Sequence, residues 1–210
     1  MKNTFLIFLL IVSVSCKKEV NNDVVKNDSV KIESDSIQKN EELAAKEPTL
    51  KEIDSDILLY IKEKNYSKIA DFIHPEKGVR FSMYLTVLPK TDQLFSRQEF
   101  LENLNSKKVF VWGEQDGTGN LYKSTLKNYL DEWAFSGDYS TASISENKFE
   151  KSGNSLNNLE EIYPEGKIMV NYLKGTDENP DFTWSNLIFV FEKYEGKNYL
   201  VAIINDRWTI

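Results

Sequence analysis

The residues able to do chemistry in this chain are few, and the first is His74, the only histidine among 210 residues. An imidazole held by a carboxylate has its ring oriented and its pKa drawn toward working pH, so His74 beside Asp206 or Asp116 would make an acid–base pair. The plainer alternative is that His74 caps the end of a helix and donates to backbone. One histidine with scattered carboxylates is not a zinc constellation, so no metal and no cofactor are expected. A second group, Arg80, Tyr84, Trp112, Trp184 and Trp208, combines amphipathic rings with one fixed cation, the usual lining of a small-molecule pocket. These five are the candidate ligand-binding residues, unless they simply pack the open end of a sheet.

Two loops carry weaker signals. The run from Asp116 to Gly119 lacks the Lys-Ser/Thr ending of a phosphate loop and reads as a turn. The acidic loop Thr176–Asp181 offers oxygen ligands without the spacing of a calcium-binding EF-hand loop, and reads as solvated.

Cys16, the only cysteine, is the other reactive group. Lys2, the apolar run Phe5–Val12 and the small residues Ser13–Ser15 have the order of a secretory signal, too short for a bilayer span of roughly 20 residues. The junction resembles the lipobox of bacterial lipoproteins, in particular the Ser-Cys-Lys-Lys form of the Bacteroidetes. That resemblance implies a diacylglycerol on Cys16 after cleavage, export, and an address in the bacterial cell envelope at the outer membrane. The alternative is an ordinary signal with an incidental cysteine. A lipidated Cys16 would leave no thiol for disulfides or nucleophilic catalysis in the exported part.

From Lys17 to Pro48 there is no aromatic residue and no glycine, only scattered Val, Leu, Ile and Ala among polar side chains. Too little apolar surface exists there to offset ordering, so a tether with a reach of roughly 30 Å is expected, or a helical spacer near 41–46. The organisation is therefore a signal at 1–15, lipidated Cys16 and tether at 16–48, and one domain at 49–210. A net charge of −7, from 26 basic and 33 acidic residues, argues against nucleic acid, whose phosphates need clustered Lys and Arg. The partners expected are the membrane through Cys16 and a small ligand or envelope protein.

The elements that must position these residues are legible in part. Thr49/Glu52 and Ser96/Glu99 have capping-box spacing, the second with Phe95 and Phe100 as a hydrophobic staple. Apolar spacing predicts helices from Leu50, over Ser67–Ile73, over 97–104, and from a Ser124 cap through Leu126, Tyr129, Leu130 and Trp133. Alternation predicts a strand over Val79–Val87, and further strands over Thr141–Ser145, Lys167–Leu173, Trp184–Tyr194 and Tyr199–Ile204. The last two form a hairpin, and Leu187–Phe191, apolar throughout, reads as a central strand covered on both faces. Helices first and sheet last predict an α+β domain, N-terminal helices packed on one face of a curved antiparallel sheet.

That order resembles the cone-shaped nuclear-transport-factor-like fold of ketosteroid isomerase and scytalone dehydratase. The segments HPEKGVRFS (74–82), WGEQDGTG (112–119), GNSLNN (153–158) and NDRWTI (205–210) are similar to blocks in a family of uncharacterised secreted proteins and lipoproteins of Bacteroidetes and Firmicutes. The family implies no reaction. The fold implies a pocket at the mouth of the cone, which leaves three readings: a non-enzymatic binding domain, a small hydrolase, isomerase or dehydratase using His74, or a structural protein-contact module.

Overall fold

Thr49 starts the first helix, α1 (Leu50–Lys62), by accepting from the Glu52 amide at 3.3 Å, while the Glu52 carboxylate takes the Thr49 amide at 2.6 Å. The structure, a computed structural model, describes residues 47–208. The expected signal, lipidated Cys16, nearly all of the tether and the spacer at 41–46 lie outside those residues. Helix α1 buries Ile53, Ile57, Leu58 and Ile61 together with one carboxyl group, Asp54. The second expected helix is a tight 3-10 turn, Tyr66–Phe72, after which Ile73 is extended and the His74 amide donates to the Leu200 carbonyl at 3.0 Å.

Strand β1 (Val79–Ser82) is half the length that alternation predicts. Met83, Leu85 and Val87 are still buried, but the ladder ends because the Ser82 hydroxyl bonds the carbonyls of Tyr84 and Thr86, folding the chain back on itself. Asn158 then grips Val87 at both backbone groups, each at 2.9 Å, replacing a strand partner with one side chain. Residues 83–92 form an arm that leaves the sheet and returns through β2 (Gln93–Phe95) to α2 (Arg97–Leu104). The Ser96/Glu99 capping box is present at the start of α2, and Phe95 and Phe100 both pack on Phe81, ring centroids 5.9 and 6.2 Å away.

A hairpin follows, β3 (Phe110–Glu114) with β4 (Leu121–Ser124), as a separate two-stranded sheet. The next helix, α3 (Leu126–Tyr129), is capped by Thr125, which accepts from the Asn128 amide at 3.2 Å; Ser124 belongs to β4 and is not the cap. It widens into a π turn, Leu130–Ala134, closed by the Phe135 amide on the Leu130 carbonyl. After a 3-10 turn at Tyr139–Thr141 come β5 (Ser143–Glu146), the one-turn helix α4 (Leu159–Ile162), β6 (Lys167–Leu173), β7 (Ser185–Tyr194) and β8 (Lys197–Arg207).

The six-stranded sheet runs β2-β1-β8-β7-β6-β5 and is mixed: β1 lies parallel to β8, pairing Phe81 with Ile203. The expected wholly antiparallel sheet is corrected on this point. Parallel neighbours need a long crossover, and here everything from β2 to β7 is that crossover. Strand β7 is buried on both sides as its sequence predicts. Leu187, Phe189 and Phe191 face α1, α2 and α3, while Ile188 and Val190 face Leu85, Val87, Leu159 and Tyr163. The sheet is thus covered on both faces, by helices on one and by the arm and α4 on the other. The β7–β8 hairpin turns on Glu195 and Gly196, both at positive φ, the pair a two-residue turn needs to match strand twist.

Candidate functional site

The arm and the β3–β4 hairpin face each other, and between them lies a cleft of two adjoining hollows. The larger, about 550 Å³, is lined by the apolar Met83, Leu88, Val111, Trp112 and Leu121 and by polar residues that include Ser82, Asp92 and Gln93. The smaller, about 490 Å³, is lined by the hairpin loop around Gln115 and Asp116 and by Asn154 and Ser155. Tyr84 and Glu114 belong to both. Among the described residues no Lys, Arg or His lines either hollow.

Each wall is held by identifiable bonds. Residues 88–92 close on themselves: the Leu88 amide donates to Asp92 Oδ2 at 2.7 Å and the Asp92 amide to the Leu88 carbonyl at 2.9 Å. Arg80 braces this turn through Nη1 to the Pro89 carbonyl at 3.0 Å. Burial pushes the Asp92 carboxyl up to about 6, against the opposing pull of the Leu88 amide, Ser82 and the Arg80 charge. At the other wall Trp112 is buried, its Nε1 donates to the Ser124 carbonyl at 3.1 Å, and it stacks on Tyr129 with ring centroids 3.7 Å apart. The Tyr84 hydroxyl joins the walls by accepting from the Asp116 amide at 2.9 Å.

Trp133 fixes the arm from below, donating to the Met83 carbonyl at 3.2 Å and meeting the Tyr84 ring edge-on. Arg207 lies over the Trp133 ring, 4.4 Å from its centroid.

Of the five residues expected to line one pocket, Tyr84 and Trp112 come together in the cleft. Arg80 stands behind it, committed to the backbone of the arm. Trp184 is buried elsewhere with its Nε1 on the Asp181 carbonyl, and Trp208, 40% exposed, meets Phe182 edge-on at the end of β8. Leu88, Asp92, Glu114 and Leu121 escaped sequence reasoning. The available signal was the pair of short runs flanking the Gln115–Asn120 loop, which spell a hairpin; four-residue β4 is too short to stand out.

His74 is not part of the cleft. Its Nδ1 accepts from the amides of Glu76 and Lys77 at 3.2 and 3.0 Å, so the ring accepts from backbone where donation was expected. Burial and the Lys77 charge hold its pKa below the ordinary value. Asp206 is six residues beyond Leu200, the strand position beside His74, hence roughly 20 Å along β8. Its carboxylate instead takes the Asn186 amide at 3.1 Å and the Gly153 amide. Asp116 contributes its amide to Tyr84. Neither expected His–Asp pair forms.

Among the described residues no cluster of three or more His, Cys, Asp or Glu could hold a metal, and no helix is long and apolar enough to cross a membrane. No family model matches the sequence, and no curated protein matches it.

Proposed function

We propose that this chain is a lipid-anchored cell-envelope protein, held at Cys16, whose α+β domain binds a small ligand in the cleft between the arm and the β3–β4 hairpin. The observation that carries the binding reading is the larger hollow: about 550 Å³, mainly apolar in its lining but with Ser82, Asp92, Gln93 and Glu114 among the lining residues, within the range of small-molecule sites. Leu88, Val111 and Leu121 support it further, because they line the hollow yet remain 53%, 42% and 50% exposed. Apolar surface left open at one place marks a contact that the fold itself does not supply. The signal-like segment before Cys16 and its lipobox-like junction support the address. The catalytic alternative has lost its motivating pair, since His74 serves the backbone and Asp206 serves Asn186 and Gly153.

Screening small envelope metabolites against the full-length chain by thermal shift and native mass spectrometry tests the reading. The expected outcome is a ligand whose shift disappears in Leu121→Asp, an exposed position where a carboxylate is tolerated by the fold. A ligand shift that survives Leu121→Asp and Val111→Asp together places binding elsewhere. For the anchor, Cys16→Ser should move the protein from the membrane fraction to the soluble one.

A docked envelope protein is the second reading, favoured by Leu94 and Val109, further exposed apolar residues in β2 and just before β3, the elements that contribute Gln93 and Val111 to the hollow. Leu94→Asp with Val109→Asp would abolish such a complex and leave a small ligand's shift intact.

A further inference from the structure

We propose that the cleft selects a small organic cation, an amine carried on an apolar body, with the body in the Met83–Trp112 hollow and the ammonium between Glu114 and Asp116. This rests on the binding reading above and adds the chemical class of the ligand. The two hollows touch and differ in balance: the larger is the more apolar, although Ser82, Asp92 and Gln93 also line it, the smaller is lined mainly by polar loop residues, and they meet at Tyr84 and Glu114. A molecule spanning both is therefore apolar at one end and polar at the other.

Charge decides which polar end fits. The carboxylates of Glu114 and Asp116 form no ion pair among the described residues, and both residues are exposed. Asp92, the third acid, is already bound to the Leu88 amide and faces Arg80, so it adds little uncompensated charge. With no basic side chain among the described residues lining either hollow and an excess of acidic residues overall, an anionic head is repelled and a cationic one attracted. An acidic loop alone would be an ordinary solvated surface. What distinguishes this one is its position at the lip of an apolar hollow, where one ligand engages both at once, and its fixation by the Tyr84 hydroxyl on the Asp116 amide.

The test compares phenethylamine, phenethyl alcohol and hydrocinnamate, which share an aryl-ethyl body, by calorimetric titration into the full-length chain carrying Cys16→Ser. Two exposed carboxylates acting together predict that the amine binds about tenfold tighter than the alcohol, with the carboxylate weakest. Added salt should shrink the preference. The Glu114→Gln, Asp116→Asn double variant should bring the amine to the affinity of the alcohol while the alcohol's affinity stays constant. An alcohol or carboxylate that equals the amine, with binding still lost in Leu121→Asp, overturns the cation class and leaves the cleft as a binding site. Failure of all three to bind the parent overturns this inference, while the binding reading itself stands or falls with the metabolite screen.

Discussion

Asn171 of β6 donates from Nδ2 to Asp54 Oδ1 of α1 at 2.9 Å, and both side chains are wholly removed from solvent. The helix is thus pinned to the sheet by a carboxyl group in the core, whose other oxygen, Oδ2, has no hydrogen-bond partner among the described residues. Desolvation raises the Asp54 pKa from 3.8 to about 6. A carboxyl group that is harder to ionise folded than unfolded holds its proton in the native state while the unfolded chain has lost it. Stability therefore falls as pH rises from about 4 to about 6 and stays reduced above that. The shift corresponds to about 3 kcal/mol. In urea titrations across this range, Asp54→Asn should flatten the slope and be more stable than the parent at pH 7 and above, keeping the acceptor for Asn171. A steeper slope in the variant would show that the carboxylate is compensated in the native state. Asp92, also raised to about 6, contributes with the same sign and remains in the variant.

His74 makes the opposite prediction. Its pKa is depressed, so the unfolded chain takes up a proton before the folded one, and this group adds stability as pH rises toward 6.5. Because Nδ1 accepts two amides, the neutral ring must carry its proton on Nε2. Proton–nitrogen correlation spectra of the sole imidazole should show the Nε2–H tautomer at neutral pH and a midpoint below 6.5. A midpoint above 6.5 would restore a carboxylate partner and with it the acid–base reading.

Local signals were legible and long-range ones were not, for a physical reason visible at β1. Capping boxes at Thr49 and Ser96 are satisfied within four residues, so spacing alone specifies them. Alternation over Val79–Val87 reports burial, which is what the structure keeps. Met83 enters the core beneath the helices, while Leu85 and Val87 enter the core on the other face, so the chain crosses the edge of the sheet between them. Whether a strand continues depends on its neighbours: past Ser82, whose hydroxyl turns the chain back, the backbone of Val87 finds its partner in the side chain of Asn158, some seventy residues away. The same holds for the site. Tyr84 and Trp112 could be chosen by residue type, but their meeting depends on the arm folding back, and Trp184, equally aromatic, is spent on the Asp181 carbonyl.

Two turns should respond to substitution with opposite signs. At Gly78, φ is +69° and a Cβ would stand 2.3 Å from the Phe95 carbonyl oxygen, which is backbone and cannot move aside without breaking the β1–β2 pairing. Gly78→Ala should cost about 2–4 kcal/mol in chemical denaturation.

Glu195 occupies a left-handed position at φ 48° where Asn or Gly is the usual residue of a two-residue hairpin turn. Glu195→Asn should stabilise by roughly 0.5–1 kcal/mol. A loss of stability there would mean that the Glu195 side chain holds the turn through contacts of its own.

Tyr84→Phe separates the two tasks of this side chain. The ring's edge-on contact with Trp133, 5.8 Å between centroids, survives the change, so the arm should keep its place and global stability should fall by no more than about 1 kcal/mol. What is lost is the acceptor for the Asp116 amide, the bond that ties the hairpin loop to the arm. Hydrogen exchange at Asp116 should quicken, and the affinity of any cleft ligand should drop about three- to tenfold because the loop must be ordered on binding. Should affinity fall with exchange at Asp116 unchanged, the hydroxyl touches the ligand directly and the tie to the loop is incidental.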